Sequence, residues 1–344
     1  MLSGVLDCLK EYSGIMNSVL CVNCFRIKGD YEICPFCGYI QGDSPKELFQ
    51  LKPGTILQDR YIIGEAIGFG GFGITYKAYD TVLGIIVAIK EFYPSGLVNR
   101  AEGEKKIGVF SGSKTQEFEK LFNRFLDEAR NMALFEKESD FVKVYAYFRA
   151  NNTAYIIMDY IENPSLKQYL NEHGKIEVQQ ACDYICAILT AIQKIHDKGI
   201  IHGDVSPDNI FVISDKQIKL FDFGAAKLQN ENIMQKRTVV VKAGYAPLEQ
   251  YRSKGLQDYR IDIYAAGAIL YHMITGERPV EALERSQKDT LLSPSERGIK
   301  LPSYIEKAMM KALAMNPKER FSSAEEFKKA LMKGQKKKWW GRNI

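Results

Sequence analysis

Apolar positions recur in two rhythms along this chain. Between residues 60 and 160 short runs dominate. Tyr61-Ile62-Ile63-Gly64 leads into a glycine-rich stretch, Thr75-Tyr76-Lys77-Ala78-Tyr79 follows, and Ile85-Ile86-Val87-Ala88-Ile89 is β-branched and apolar after a turn near Gly84. These runs predict strands. Residues 116–136 change to helical spacing, with Phe118, Phe122, Phe125, Ala129 and Met132 three and four apart. Strands return at 142–148 and 155–158, with Asn151-Asn152 as the hairpin turn. Beyond 162 the pattern is mostly helical, and Ala181, Ile185, Ile188, Ile192 and Ile195 form one buried stripe. A strand-rich half followed by a helix-rich half predicts an α+β architecture of two lobes with a cleft between them.

Composition narrows the class. A chain of 344 residues has room for roughly two domains. Its 46% hydrophobic and 26% charged residues exclude a disordered, collagen-like or disulfide-rich chain. The formal charge of +5 is too small a surplus to argue for nucleic-acid binding, and four histidines argue against a His-rich metal site. No apolar run reaches the roughly 18 residues that span a bilayer. The first twenty residues carry Asp7, Lys10 and Glu11 and do not fit a secretory signal. Met16, shortly before Cys21, is an alternative start. The tail Lys336-Lys337-Lys338-Trp339-Trp340 resembles a membrane-interface anchor, but one short patch holds a membrane only marginally, and a solvated terminus is the plainer reading.

Seven cysteines stand at 8, 21, 24, 34, 37, 182 and 186. Cys182 and Cys186 fall on the helical stripe and read as reduced core thiols. Cys21-x-x-Cys24 and Cys34-Pro-Phe-Cys37 form two pairs, each able to fold as a knuckle whose amides face the sulfurs, and Gly38 suits the positive φ such a turn needs. Four thiolates without histidine suit a closed, structural zinc site. About 20 residues cannot bury a core, so metal binding would supply the folding energy. Two disulfides or an iron–sulfur centre are the competing uses of the same cysteines. The pairs point to a reducing compartment, hence the cytoplasm. The module is similar to the short zinc ribbons of many bacterial regulatory proteins, which bind protein or nucleic acid. Arg26 and Lys28 are the only basic residues between the pairs, which argues against specific nucleic-acid binding and leaves a partner of the ribbon open.

Gly68-Phe69-Gly70-Gly71-Phe72-Gly73 fits G-x-G-x-x-G, a pattern that dinucleotide folds share. Here a strand follows instead of a helix, so the glycines form a hairpin whose amides can close over phosphates. Val87-Ala88-Ile89-Lys90 puts a lysine on the next strand, and Glu128 lies on the helix that follows. With these residues in place the chain resembles a protein kinase, closest to the bacterial Hanks-type serine/threonine kinases, over residues 60–333. The series continues in the family's order. Met158 precedes Asp159-Tyr160-Ile161 as gatekeeper and hinge, and His202-Gly203-Asp204-Val205-Ser206-Pro207-Asp208-Asn209 matches the catalytic loop. Asp222-Phe223-Gly224 matches the magnesium motif, Ala246-Pro247-Leu248-Glu249 the A-P-E segment, and Asp262–Gly267 a buried helix; Arg320 matches the arginine that pairs with the A-P-E glutamate.

The resemblance implies a bilobal kinase fold, with a β-rich N-lobe and hinge over 59–161 and a helical C-lobe over 162–333. A lead (1–20), the zinc ribbon (21–40) and a polar linker (41–58) precede it, and a basic tail (334–344) follows. It implies ATP and magnesium as cofactors beside the structural zinc on Cys21, Cys24, Cys34 and Cys37. Asp204 would orient and accept the proton of the substrate hydroxyl, Asn209 and Asp222 would hold magnesium, and Lys90, fixed by Glu128, would hold the α- and β-phosphates. The nucleotide would lie against Gly68, Gly70, Gly71, Gly73, Thr75, Ala88, Lys90, Met158, Asp159 and Ile161. The implied activity is phosphoryl transfer to serine and threonine of protein substrates, including autophosphorylation, since Pro207-Asp208-Asn209 resembles that branch.

Three departures stand out. Gly203 replaces the arginine that pairs with a phosphorylated loop, so activity is expected without loop phosphorylation and Thr238 reads as a solvated residue more readily than as a switch. Ser206 stands where the family carries a lysine on the γ-phosphate, and the segment Val241–Tyr245 lacks the usual threonine. Lys242 is a candidate for restoring the lost charge, the alternative being a solvated lysine. An insert over 91–115 is expected to shape regulation or partner docking. The competing functional readings are a pseudokinase or scaffold acting through nucleotide or partner binding, an adaptor dominated by the ribbon, and a small-molecule kinase.

Overall fold

The computed structural model describes residues 20–228, 241–251 and 258–333. Cys8, Met16, Thr238 and the tail residues Lys336–Trp340 lie outside the described residues. The chain divides into two compact units, one running to Ala133 and including Lys143–Ile161, the other comprising Leu134–Val142 and the chain from Glu162 on. Among the described residues no helix is long and apolar enough to cross a membrane.

The first unit is built on an antiparallel six-stranded sheet. Its strands are β1 (Ile56–Leu57), β2 (Tyr61–Gly70), β3 (Gly73–Asp80), β4 (Ile85–Phe92), β7 (Val144–Ala150) and β8 (Thr153–Asp159), in the order β1-β2-β3-β4-β8-β7. Ile74, Tyr76 and Ala78 alternate inward on β3, as a half-covered strand requires. Gly70 pairs with Gly73, leaving Gly71-Phe72 as a two-residue turn. Asn151 and Asn152 both take positive φ, 56° and 61°, which is the hairpin geometry that asparagine tolerates.

The helix Ser113–Ala133 begins and ends three residues before the expected span and buries Phe118, Phe122, Phe125, Leu126, Ala129 and Met132. Phe92 closes the contact, with ring centroids 5.3–5.6 Å from those of Phe118, Phe122 and Phe125.

The insert after Lys90 is ordered by a buried ion pair. Arg100 and Glu91 are both fully buried and bonded to each other, and Tyr76 and Tyr155 donate their hydroxyls to the same carboxylate at 3.0 and 2.9 Å. Arg100 Nη1 also donates to Phe49 O at 2.8 Å, and Leu51 N donates to Tyr76 Oη at 3.0 Å. The end of the expected linker is thereby packed into the unit, with Leu51 and Leu57 buried. Short strands β5 (Val98–Asn99) and β6 (Gly108–Val109) pair within the insert.

The cysteine module docks on the root of the glycine hairpin. Phe25 N donates to Cys21 O and Gly38 N to Cys34 O, each at 2.8 Å, closing two equivalent knuckles. Gly38 has φ 72°, as expected, but the equivalent residue of the first knuckle is Phe25 at φ 59°. Its ring lies against Tyr79, centroids 6.0 Å apart, and this packing offsets the backbone strain. Asn23 O accepts the N–H of Glu65 on β2 at 2.9 Å.

The second unit is helical. Leu166–His173 starts at a capping box formed by Ser165 and Gln168. Val178–Asp197 buries the predicted stripe of Ala181, Ile185, Ile188, Ile192 and Ile195, and packs against Arg260–Thr275 and Ala324–Met332. Burial pushes the thiols of Cys182 and Cys186 up to about 12 and about 11, in keeping with inert core cysteines. Two small antiparallel pairs carry the chemistry-bearing loops. One joins β9 (Ile200–Ile201) to β12 (Lys227–Leu228), the other β10 (Ile210–Ser214) to β11 (Gln217–Leu220). Phe135, Phe141, Phe223 and His202 stack beneath them, with centroid separations of 4.5–6.0 Å.

A Cβ at Gly64 would lie 2.4 Å from Asn23 O and 2.7 Å from the Phe25 ring. Gly64→Ala is therefore expected to force the cysteine module off β2 and to cost about 1–3 kcal/mol in urea unfolding; an unchanged midpoint would show that the contact contributes nothing.

Candidate active site

Each unit positions its own set of the expected residues. In the first, Lys90 sits on β4 opposite Thr75 of β3 and Ile156 of β8. Strand alternation turns Lys90 away from the face that takes Glu91 and toward the helix Ser113–Ala133, where its Nζ meets Glu128 Oε1 at 2.7 Å. Glu128 is buried and Lys90 half-buried, so this pair is shielded far better than a surface bridge.

The four glycines differ in what they permit. A Cβ at Gly73 would lie 2.5 Å from Glu91 O, whereas at Gly70 and Gly71 it would meet only open space. Gly73 is thus required by packing, and the tip leaves its backbone accessible to a ligand. Gly68 pairs with Thr75 across the hairpin, and a Cβ there would lie 3.8 Å from Thr75 Cβ. Ala88 and Met158 are register partners on β4 and β8, and both are buried. Asp159 uses its carboxylate locally, accepting Tyr145 Oη at 2.7 Å and Lys143 N at 3.2 Å. Ile161, just beyond β8, is half-buried.

In the second unit the loop after β9 carries Asp204. The buried Asn209 donates Nδ2 to Asp204 Oδ2 at 2.8 Å and to Asp204 O at 2.9 Å. Phe221 N donates to Asn209 O at 3.1 Å, which ties the loop to the residue before Asp222. Asp222 has φ 66°, and Gly224 N donates to its Oδ1 at 3.2 Å. Burial raises the Asp204 carboxyl above the usual carboxylate range and Asp222 adds to this, while Lys242 and Asn209 act the other way.

Asp262, at the start of the helix Arg260–Thr275, holds the loop from below. It accepts His202 N, Gly203 N and His196 Nε2, each at 2.9 Å. Gly203 has φ 76°, and a Cβ there would lie 3.1 Å from Ala225 O, so this departure from the family's arginine sits where glycine is the easy residue. Arg320 forms a two-toothed pair with Glu249, at 2.6 and 3.2 Å, as the resemblance implied. Two residues that pattern reading passes over also matter. Gln250 Nε2 donates to Gly203 O at 2.8 Å, and Tyr245 Oη lies 2.6 Å from His272 Nδ1. Neither carries a periodic signal, because both contacts join segments far apart in sequence.

The cysteine module brings all four expected ligands together. The four Sγ atoms lie within 4.8 Å of one another, with Cys21–Cys37 at 3.6 Å and Cys24–Cys34 at 3.7 Å. Zinc–sulfur bonds of about 2.3 Å in a tetrahedron put sulfurs about 3.8 Å apart, so these separations fit.

Comparison with known proteins agrees with this geometry. The family model described as the protein kinase domain matches residues 61–332. A probable serine/threonine-protein kinase of Clostridium acetobutylicum is 33% identical over 281 residues, covering 79% of this chain and 39% of that protein. Serine/threonine-protein kinase PknB of Mycobacterium leprae is 30% identical over 289 residues, covering 80% of this chain and 43% of that protein. The chain thus spans about two fifths of the length of these curated relatives. Among solved structures, the apo form of PpkA-294 is similar with a TM-score of 0.71 and 31% identity, covering 82% of this chain and 99% of that one.

Replacing Asp262 by asparagine would turn an amide toward backbone N–H donors and is expected to cost about 1–3 kcal/mol in urea unfolding. Burial alone would raise the Asp262 carboxyl, yet His196, His202 and the Gly203 N–H hold it below the usual range. Its stabilisation is therefore complete above the unfolded carboxyl pKa of about 3.9 and is lost as pH falls through the lower folded value. Wild type should lose stability over that acid range more steeply than Asp262→Asn; parallel profiles would contradict this.

Proposed function

The chain belongs to the protein kinase family, in its bacterial Hanks-type branch, and from that membership we propose that it transfers the γ-phosphate of ATP to serine and threonine hydroxyls of proteins, its own included. The observation that carries the reading is the Lys90–Glu128 pair at 2.7 Å, which presents a fixed ammonium on the strand next to the glycine hairpin. The family implies ATP and magnesium.

Phosphoryl transfer demands positioning and charge neutralisation more than covalent help. Lys90 binds the α- and β-phosphates, and Glu128 holds its ammonium in place. The hairpin Gly68–Gly73 covers the phosphates with backbone N–H groups. Ala88, Met158, Asp159 and Ile161, with Thr75, bound the base. Asp204 orients the substrate hydroxyl and takes its proton as the oxygen bonds to phosphorus and the bond to the bridging oxygen of ADP breaks. Asn209 spends its amide N–H groups on Asp204, which leaves oxygen as the atom it offers a cation. Together with the Asp222 carboxylate this is the donor set a hard divalent ion prefers, so these two residues fit magnesium. Bound there, magnesium supplies neutralisation of phosphate charge. The cysteine set fits zinc, and a closed four-thiolate site would act as the structural core of residues 21–40 in a reducing cytoplasm.

Two outcomes test these assignments. Purified protein with radiolabelled ATP and magnesium should label serine or threonine, Asp204→Asn should lose about 10²–10⁴-fold in rate, and Lys90→Met should lose rate as well. Nucleotide binding with no transfer by wild type would instead indicate a pseudokinase. Metal analysis should find one zinc per chain, and Cys21→Ser/Cys34→Ser should abolish it and lower thermal stability. Iron with visible absorption, or a mass deficit of two disulfides, would replace the zinc assignment.

A further inference from the structure

The cation beside Asp204 comes from a different segment of the chain. Lys242 Nζ donates to Ser206 Oγ at 2.8 Å and lies 3.3 Å from Asp204 Oδ2 and 3.8 Å from Asp208 Oδ2. Ser206 is fully buried, and its carbonyl accepts the Asn209 N–H at 3.0 Å, so the hydroxyl is a fixed part of the loop. The Lys242 side chain is 27% exposed, which seats its head in the loop while leaving one side open.

The backbone that delivers this lysine is held at several points. Lys242 O accepts the N–H groups of Tyr245 and Ala246 at 3.0 and 3.1 Å. Between Lys242 and Tyr245, Gly244 has φ 84°, and a Cβ there would come within 2.8 Å of Pro279 O, so the turn admits only glycine without rearrangement. The Tyr245–His272 and Gln250–Gly203 contacts fasten the same segment to the helix Arg260–Thr275 and to the catalytic loop.

We propose that Lys242 is the catalytic cation for the phosphoryl group in flight, delivered from the segment 241–251 into the space that the small Ser206 leaves, an assignment that rests on the kinase reading above. Its chemistry follows from the charges. A carboxylate base and a phosphoryl group are both anionic, and the reaction brings them to the same hydroxyl oxygen. That oxygen forms a bond to Pγ, the bond from Pγ to the bridging oxygen breaks, the bridging oxygen leaves on ADP with the electron pair, and the hydroxyl proton passes to Asp204. Lys242 makes and breaks no covalent bond. It balances charge on the phosphoryl oxygens from a position 3.3 Å from the Asp204 carboxylate that takes the hydroxyl proton. A lysine suits this task because its ammonium is a point charge with three donors and can serve the Ser206 hydroxyl, Asp204 and a phosphoryl oxygen together.

The test compares wild type with Lys242→Met, Lys242→Arg and the exchange Ser206→Lys/Lys242→Ser, using a peptide substrate and direct measurement of ATP binding. Lys242→Met is expected to lower kcat by about 10²–10³-fold with the KM for ATP little changed, the loss typical of one preorganised charge on a transition state. Lys242→Arg should retain at least about tenfold more activity than Lys242→Met, since it keeps the charge, and the exchange should recover a similar share by returning the ammonium to the loop. If buried position 206 refuses lysine and the exchange does not fold, the comparison of arginine with methionine decides alone. Wild-type kcat in Lys242→Met, or equal losses in the methionine and arginine variants, would overturn the assignment while leaving the kinase reading intact. A wild type that transfers no phosphate would remove both.

Discussion

The catalytic loop depends on one buried carboxylate. Asp262 is 1% exposed, and leaving a charge there is costly unless it is matched by donors. His202 N, Gly203 N and His196 Nε2 provide that match, and in doing so they fix the backbone of residues 202 and 203. The left-handed Gly203 then turns its carbonyl to Gln250, and the next residue presents Asp204 to Asn209. The helix that carries Asp262 is buried on nearly every face, so the anchor is part of a close-packed core and cannot drift. Loop and helix are joined because they share this acceptor, and the segment 241–251 is tied to them through Gln250 on the Gly203 carbonyl.

The first unit solves the complementary problem of placing a cation on a strand. Lys90 and Glu91 are neighbours, and strand alternation sends them to opposite faces. Each has its own partner, Glu128 for the lysine and Arg100 for the glutamate, so β4 is held by ion pairs on both sides. The Arg100 pair draws in Tyr76, Tyr155 and the carbonyl of Phe49, which recruits the insert and the preceding segment into the support of the same strand. The insert acts here as an anchor for β4, a more local role than the docking surface its length suggests. One slip in register would exchange the two faces and break both pairs, which is why this strand's register is strongly specified.

Periodicity makes much of this architecture legible in the sequence. The helical stripe from Ala181 to Ile195, the Asn151-Asn152 hairpin and the helix bearing Phe118, Phe122 and Phe125 can be read from it, because burial on one face imposes the period. Lys90, Glu128, Asp204, Asn209 and Asp222 are legible from motif spacing. Contacts that depend on tertiary approach are not. Glu91 sits inside an apolar run, and nothing in its spacing names Arg100. Phe25 adopts a positive φ that residue identity argues against, and it is tolerated because its ring packs on Tyr79. Leu51 and Leu57, in a stretch that composition assigns to a linker, are both buried, the first with its N–H on the Tyr76 hydroxyl and the second paired with Tyr61 of β2. The charge balance at Asp204 points to Lys242, but only the fold shows that Ser206 accepts its hydrogen bond.

Gly203, Ser206 and Lys242 make one consistent set. An arginine at 203 would bring a second cation to the loop and a side chain into a left-handed position 3.1 Å from the Ala225 carbonyl. A lysine at 206 would collide with Lys242, whose ammonium already occupies the Ser206 hydroxyl at 2.8 Å. With glycine and serine at those positions, the loop is neutral enough to accept a cation from outside it. The described ties of the segment 241–251 are an ammonium among carboxylates, a side-chain amide on a carbonyl, a phenol on an imidazole and the Arg320–Glu249 pair. Each of them is made by residues of the second unit alone.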